Sequence, residues 1–167
     1  MSSEEYLPLC DENGNIEGTA LRSLCHNGHS MLLHPVVHLH VFNKAGELYL
    51  QKRPMHKDVQ PGKWDTAVGG HVDPDETIDQ ALKRESFEEL GLSDFSFEQL
   101  RKYIWESKIE RELVHSFSTI ISYNPVFDPA EVDEGRFWGI EEIRSSLGKN
   151  VFTPNFEYEF MECFSAL

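Results

Sequence analysis

Basic residues are scarce in this chain: 15 lysines and arginines stand against 29 aspartates and glutamates, a formal charge of −14. That balance argues against a polynucleotide as main partner, because nucleic-acid binding depends on clustered cations that neutralise phosphates. A small phosphate compound stays admissible if a divalent cation bridges its charge to protein carboxylates. Cysteine is scarce too. Cys10, Cys25 and Cys163 are an odd number, widely spaced, with no CxxC pair. This argues against a disulfide framework and a cysteine zinc knuckle, and it suits a reducing compartment. No apolar run approaches a membrane span, and residues 1–20 lack the basic-then-apolar pattern of an export signal. The expectation is a cytoplasmic protein with no membrane partner. Repeats, low-complexity tracts and Gly/Ser/Pro-rich linkers are missing as well, so residues 1–167 are expected to form one domain.

What is there is a mixture of strands and helices. "DENGNIEG" at 11–18 reads as a tight turn between two short extended pieces. "VVHLHVFN" alternates and is rich in β-branched residues; with "KAGE" and "LYLQKR" it predicts a hairpin over 36–53. A loop punctuated by Pro54, Pro61 and Gly62 follows. "LVHSFSTIISY" at 113–123 and "GRFWGI" predict further strands, "EEIRSSLG" and the segment after Pro154 helices. The class is α/β or α+β.

The best-defined helix lies between Thr77 and Gly91. Thr77 with Gln80 fits a capping box, Gly91 fits the left-handed position past the end, and Ile78, Ala81, Leu82 and Leu90 form an apolar stripe. Glu85, Glu88 and Glu89 fall within about a third of the circumference, overlapping the flank of Ile78 and Ala81. The buried side thus turns acidic at the end of the helix where the dipole favours cations. Two carboxylates about 5–6 Å apart repel by about 3 kcal/mol at an effective dielectric of about 20, so a semi-buried arrangement needs compensation. A hard divalent cation supplies it. Taken alone, E-x-x-E-E is more often a solvated face on which Arg84 pairs with Glu88.

The surrounding residues decide between these. In "GHVDPDETIDQALKRESFEELGL", Gly70, Glu76, Arg84, Glu85, Glu88, Glu89, Gly91 and Leu92 carry the spacing G-x5-E-x7-R-E-U-x-E-E-x-G-U, where U is a bulky aliphatic residue. The stretch 70–92 resembles the Nudix box of the Nudix hydrolases; Ser86, at the first U, is the one departure. The resemblance implies an α/β/α sandwich with a mixed β-sheet and hydrolysis of a diphosphate attached to another group. It implies Mg²⁺ or Mn²⁺ on Glu85, Glu88 and Glu89 beside the Gly70 backbone, with Glu76 and Arg84 pairing to orient the helix. Glu88 is the box residue assigned here to accept the proton of the attacking water.

A second similarity lies outside the box. "LCHNGHSMLLHPVVHLHVFNKAGELYLQKR" and "PGKWDTAVGGH" resemble isopentenyl-diphosphate isomerases, which share the Nudix fold. That family's second metal implies a set made of His26, His34, His71, Glu110 and Glu112, with one extra residue between the first two histidines. Such donors suit Mn²⁺ or Zn²⁺. Arg22, Arg53 and Lys57 match the family's diphosphate contacts. Two departures count against isomerisation. Gly69 stands where the isomerase has its proton-transferring cysteine, and Glu85 stands where it has a diphosphate-binding arginine.

The expectation is a metal-dependent hydrolase of a small nucleoside, prenyl or other organic diphosphate. The alternatives are an isomerase-like enzyme and a catalytically silent Nudix-fold binding domain. A homodimer is the commonest assembly for soluble enzymes. His38 and His40 read first as satisfied structural residues, and Trp64, Tyr103 and Trp105 first as core. Lys52 and Lys63 join Arg53 and Lys57 in a cluster able to grip a phosphate or simply to solvate a loop.

Overall fold

The computed structural model describes residues 4–167; the first three residues of the domain expected over 1–167 lie outside it. The chain opens with a hairpin, β1 (Tyr6–Cys10) and β2 (Ile16–Leu21), followed by a single helical turn, α1 (Arg22–Cys25). Next come β3 (Leu33–Phe42), β4 (Leu48–Lys52), β5 (Trp64–Thr66) and β6 (Val68–His71), then α2 (Ile78–Leu90). After α2 follow β7 (Glu98–Glu106), β8 (Arg111–Ile120), β9 (Glu134–Trp138), α3 (Ile140–Ser146) and α4 (Pro154–Phe164).

The central sheet is mixed. β3 and β8 run parallel from Leu33↔Arg111 to Phe42↔Ile120, whereas every other pairing between these strands is antiparallel. The expected hairpin of β3 and β4 is paired only at Val41↔Tyr49 and Phe42↔Leu48. Beyond that the strands diverge, and residues 64–71 fill the gap, β5 on β4 and β6 on β3. This inserts Gly69, Gly70 and His71 into the middle of the sheet.

Strand alternation sorts the two faces. Val37, Leu39 and Val41 of β3 pack with Ala81, Leu82 and Leu90 of α2. The opposite face meets α3 and α4, where Leu48, Leu50 and Trp138 pack on Ile143, Phe156 and Phe160. Helices on both faces of a mixed sheet are the α/β/α sandwich expected from the sequence. The even positions of β3 put His38 and His40 on the α4 side.

Candidate active site

α2 is fixed at both ends. Thr77 Oγ1 accepts from the Gln80 amide at 3.1 Å and Gln80 Oε1 from the Thr77 amide at 2.9 Å, a reciprocal cap. Gly91 closes the helix with φ 63°. Ser86 is fully buried and its hydroxyl donates to the Leu82 carbonyl at 2.6 Å, so the polar residue in the aliphatic position is satisfied within its own helix. With that face anchored, the acidic flank enters a cleft of about 550 Å³.

Within the cleft, Glu89 accepts from the Gly69 amide and from Gln51 Nε2, both at 3.2 Å. The Glu85 carboxyl lies against Gly70, in space that a β-carbon would fill. Glu88 is the most open of the three, its side chain 56% exposed against 14% for Glu85. Arg84 ties Glu85 and Glu88 to Glu76. Its Nε and Nη2 fork onto Glu76 at 2.8 and 3.0 Å, Nη2 also reaches the His71 carbonyl, and Nη1 reaches Glu85 at 2.8 Å. The Arg84–Glu88 pair of a solvated helix face is present too, at 3.3 Å.

Burial pushes Glu85 up to about 7 despite Arg84 beside it. Burial, reinforced by the charge of Glu85, holds Glu89 well above the usual carboxylate range. Adjacent carboxyls that resist ionisation, next to a backbone stripped of its side chain, are the condition that a divalent cation relieves. Carboxylate donors suit such an ion, but among the described residues the three glutamates do not bring ligand atoms within 4.8 Å of one another.

A second cluster opens onto the same cleft. His26 follows α1, His34 sits on β3, His71 ends β6 and Glu110 precedes β8; ligand atoms of all four lie within 4.8 Å of one another. His34 Nδ1 donates to the Leu32 carbonyl at 2.9 Å, which leaves Nε2 buried and without a hydrogen-bond partner. His26 Nε2 is 3.2 Å from His71 Nε2 and 2.8 Å from a Glu110 oxygen. Burial draws His34 below its ordinary value and His71 well below, so their lone pairs are free. Burial would raise Glu110, but the hydrogen bond and charge of His26 outweigh it and lower the carboxyl. An orphaned imidazole nitrogen aimed at two other imidazoles and a carboxylate fits a borderline divalent metal. Glu112 is outside the convergent set: it lines the cleft beside Glu110, and burial raises it to about 8.

Arg22, Arg53 and Lys57 also line the cleft. Each has an acidic neighbour, Glu5 at 2.7 Å, Asp65 at 3.7 Å and Glu131 at 3.7 Å. Trp105 lines it too, whereas Tyr103 is buried and Trp64 packs against the α3–α4 core.

Glu159 of α4, fully buried, went unread in the sequence. One oxygen accepts from His38 Nδ1 at 2.7 Å and Tyr103 Oη at 2.6 Å, the other from His40 Nε2 at 2.8 Å and the Ser116 hydroxyl. Burial opposes its charge, but His38 and His40 hold it well below the usual carboxylate range. Its signal was a lone glutamate beside the stripe of Phe156, Phe160 and Phe164, where a charge needs partners. His38 is thus a structural histidine as expected; His40 shares the same carboxylate through Nε2, but its Nδ1 is buried without a hydrogen-bond partner.

A mixed sandwich carrying the box helix at its cleft defines an enzyme of Nudix type. The NUDIX domain model matches residues 32–157, and the chain belongs to that family. It is 31% identical to isopentenyl-diphosphate Delta-isomerase 1 of Photorhabdus laumondii over 95% of this chain and 94% of that protein. It is 29% identical to an uncharacterized Nudix hydrolase of Yersinia pestis over 90% of this chain and 81% of that one. Among solved structures, DR0079 from Deinococcus radiodurans superposes with a TM-score of 0.80 at 23% identity, covering 96% of this chain and 99% of that one. The MutT protein from Methanosarcina mazei Go1 gives 0.67 at 24% identity, covering 80% and 93%. These two likenesses concern the fold. No helix among the described residues is long and apolar enough to cross a membrane.

Proposed function

We propose that this chain is a metal-dependent hydrolase of a small organic diphosphate. The observation that carries the reading is the intact trio of Glu85, Glu88 and Glu89 in the cleft, the first two bonded by an Arg84 that is itself forked onto Glu76 and the third by Gly69 and Gln51. Glu85, Glu88 and Glu89 with the Gly70 backbone would hold Mg²⁺ or Mn²⁺. When bound, such an ion polarises a phosphoryl oxygen and lowers the pKa of water. Glu88, the most exposed of the three, accepts the proton of the attacking water. Arg84 holds Glu85 in place and sets the helix relative to the His71 carbonyl. Arg22, Arg53 and Lys57 take the distal phosphate oxygens, exchanging their acidic neighbours for the substrate.

The cluster of His26, His34, His71 and Glu110, with the identity to an isomerase over nearly the whole chain, favours a second reading: double-bond isomerisation of an isoprenoid diphosphate. Against it stands Gly69, which has no side chain to move a proton. The deciding experiment measures phosphate release from nucleotide, sugar and isoprenoid diphosphates with Mg²⁺ or Mn²⁺, with product identification for isopentenyl diphosphate. Metal-dependent release from any member is the expected result; isomerisation without release would overturn the proposal.

A further inference from the structure

We infer that Asn155 selects the group carried by the diphosphate, and that this group is a planar ring presenting an exocyclic amino group, such as that of cytosine or adenine. The inference rests on the cleft being the diphosphate site proposed above.

It follows from hydrogen-bond polarity. Four groups converge on the two oxygens of buried Glu159, and an ionised carboxylate only accepts. Tyr103 therefore spends its single hydroxyl proton on Glu159. The Tyr103 oxygen, 2.9 Å from the Asn155 side chain, is left as an acceptor, so the amide nitrogen of Asn155 must face it. The orientation of an amide is usually ambiguous; here the chain of donors fixes it. The Asn155 carbonyl is turned away from Tyr103, accepts no hydrogen bond among the described residues, and belongs to a side chain lining the cleft.

Trp105 and Val36, which pack with Tyr103, line the same cleft, as does Pro154 next in the chain. Trp105, with Tyr158 packed against it at 5.4 Å between centroids, is a surface on which a flat ring stacks. An alkyl chain placed there would strip water from the Asn155 carbonyl and return nothing. A ring with a keto oxygen in that position would set acceptor against acceptor. A ring amino group satisfies the carbonyl, and sites that hydrogen-bond a substrate group reject analogues lacking it.

The test measures affinity with Mg²⁺ for the α,β-methylene analogues of cytidine, adenosine, uridine and inosine diphosphates, which bind without hydrolysis, and for isopentenyl diphosphate. The amino-bearing bases are expected to bind about tenfold tighter or more than their keto counterparts. Asn155→Leu is expected to bring that ratio close to unity. Tyr103→Phe frees the amide to turn, so it is expected to weaken amino bases while strengthening keto bases, a reversal that loss of packing alone would not produce. Equal binding of both sets, tighter binding of the isoprenoid, no binding of any analogue, or an unchanged preference in Asn155→Leu would each overturn the inference. Turnover of the authentic diphosphates separates the two readings. A base preference without hydrolysis sinks the hydrolase and leaves Asn155 standing; hydrolysis without a preference does the reverse.

Discussion

Gly70 has no room for a side chain because the Glu85 carboxyl already occupies the position a β-carbon would take. Its neighbour differs: a β-carbon on Gly69 would meet His38 Cδ2 at 3.5 Å, an ordinary contact. Two adjacent glycines thus stand under different constraints. Gly70→Ala is expected to displace Glu85 and reduce kcat/KM by about 10²-fold, the usual penalty for a misplacement of about 1 Å at a reacting centre. Gly69→Ala is expected to stay within about threefold of the parent, since it disturbs no box carboxylate. Steady-state kinetics on both variants with Mg²⁺ check the pair. Equal losses would mean that the contact between Gly70 and Glu85 has no special role.

Protons and a cation compete for the same carboxyls. Glu85 is raised to about 7 from its ordinary value of 4.5, and burial with the charge of Glu85 holds Glu89 well above that ordinary value. A carboxyl raised on folding contributes stability that is full below the unfolded value and is lost as pH rises through the folded value. The metal-free protein should therefore lose stability between about pH 4.5 and pH 7 and above. A bound divalent ion reverses this by pairing with the ionised forms. The rise in Tm on adding Mg²⁺ is accordingly expected to be small near about pH 5.5 and to grow towards about pH 8. Differential scanning fluorimetry across that range checks it; a shift independent of pH would separate the ion from these glutamates.

The box was legible because its eight spaced identities and the Thr77–Gln80 cap are local features, and α2 runs almost from the one marker to the other. The alternation of β3 was legible for the same reason. β7, with the sequence EQLRKYIWE, was not: it lies at one end of the sheet, mostly exposed, and it takes its conformation from the ladder with β8 rather than from a pattern of its own. Residues 64–71 were hidden because their pairing depends on β3 and β4 parting company, a tertiary event. The histidines at 26, 34 and 71 could be grouped only by resemblance, since their convergence joins a post-helical turn and two strands. Glu159 was missed because its four partners come from three strands distant in sequence.

Glu159 is expected to contribute heavily to stability. Replacing it by Gln keeps one acceptor but turns an amide nitrogen towards two donors, and it leaves His38 without its counter-charge. Burial alone would lower His38, yet Glu159 outweighs it and raises the imidazole to about 9. Breaking such a buried pair by removing one partner costs about 3–5 kcal/mol, and that loss in urea denaturation is the expected outcome for Glu159→Gln. The sign of its pH dependence follows from His38, whose folded value lies above its ordinary 6.5. The stabilisation is full below about pH 6.5 and is lost as pH rises through about 9, so the gap between parent and variant should narrow at alkaline pH. A gap that widens there would assign the raised value to another group.

His34 offers the cleanest separation of the two candidate metal centres, because it lies at the bottom of one and takes no part in the other. Its Nε2 is buried, has no protein hydrogen-bond partner, and belongs to the convergent set of His26, His71 and Glu110. The Nδ1 bond to the Leu32 carbonyl at 2.9 Å fixes which nitrogen faces the cluster. His34→Ala removes one ligand of four and leaves a cavity too polar to stay dry. Mn²⁺ or Zn²⁺ titrated into the variant is expected to bind at least about 10-fold more weakly at this centre. Mg²⁺ protection of the box carboxylates against thermal unfolding should be unchanged. If the hydrolase reading holds and the second ion is structural, kcat falls less than Tm; if the His/Glu ion touches substrate, kcat falls first. Unaltered Mn²⁺ and Zn²⁺ affinity in His34→Ala would mean that the four side chains converge for packing and hold no ion.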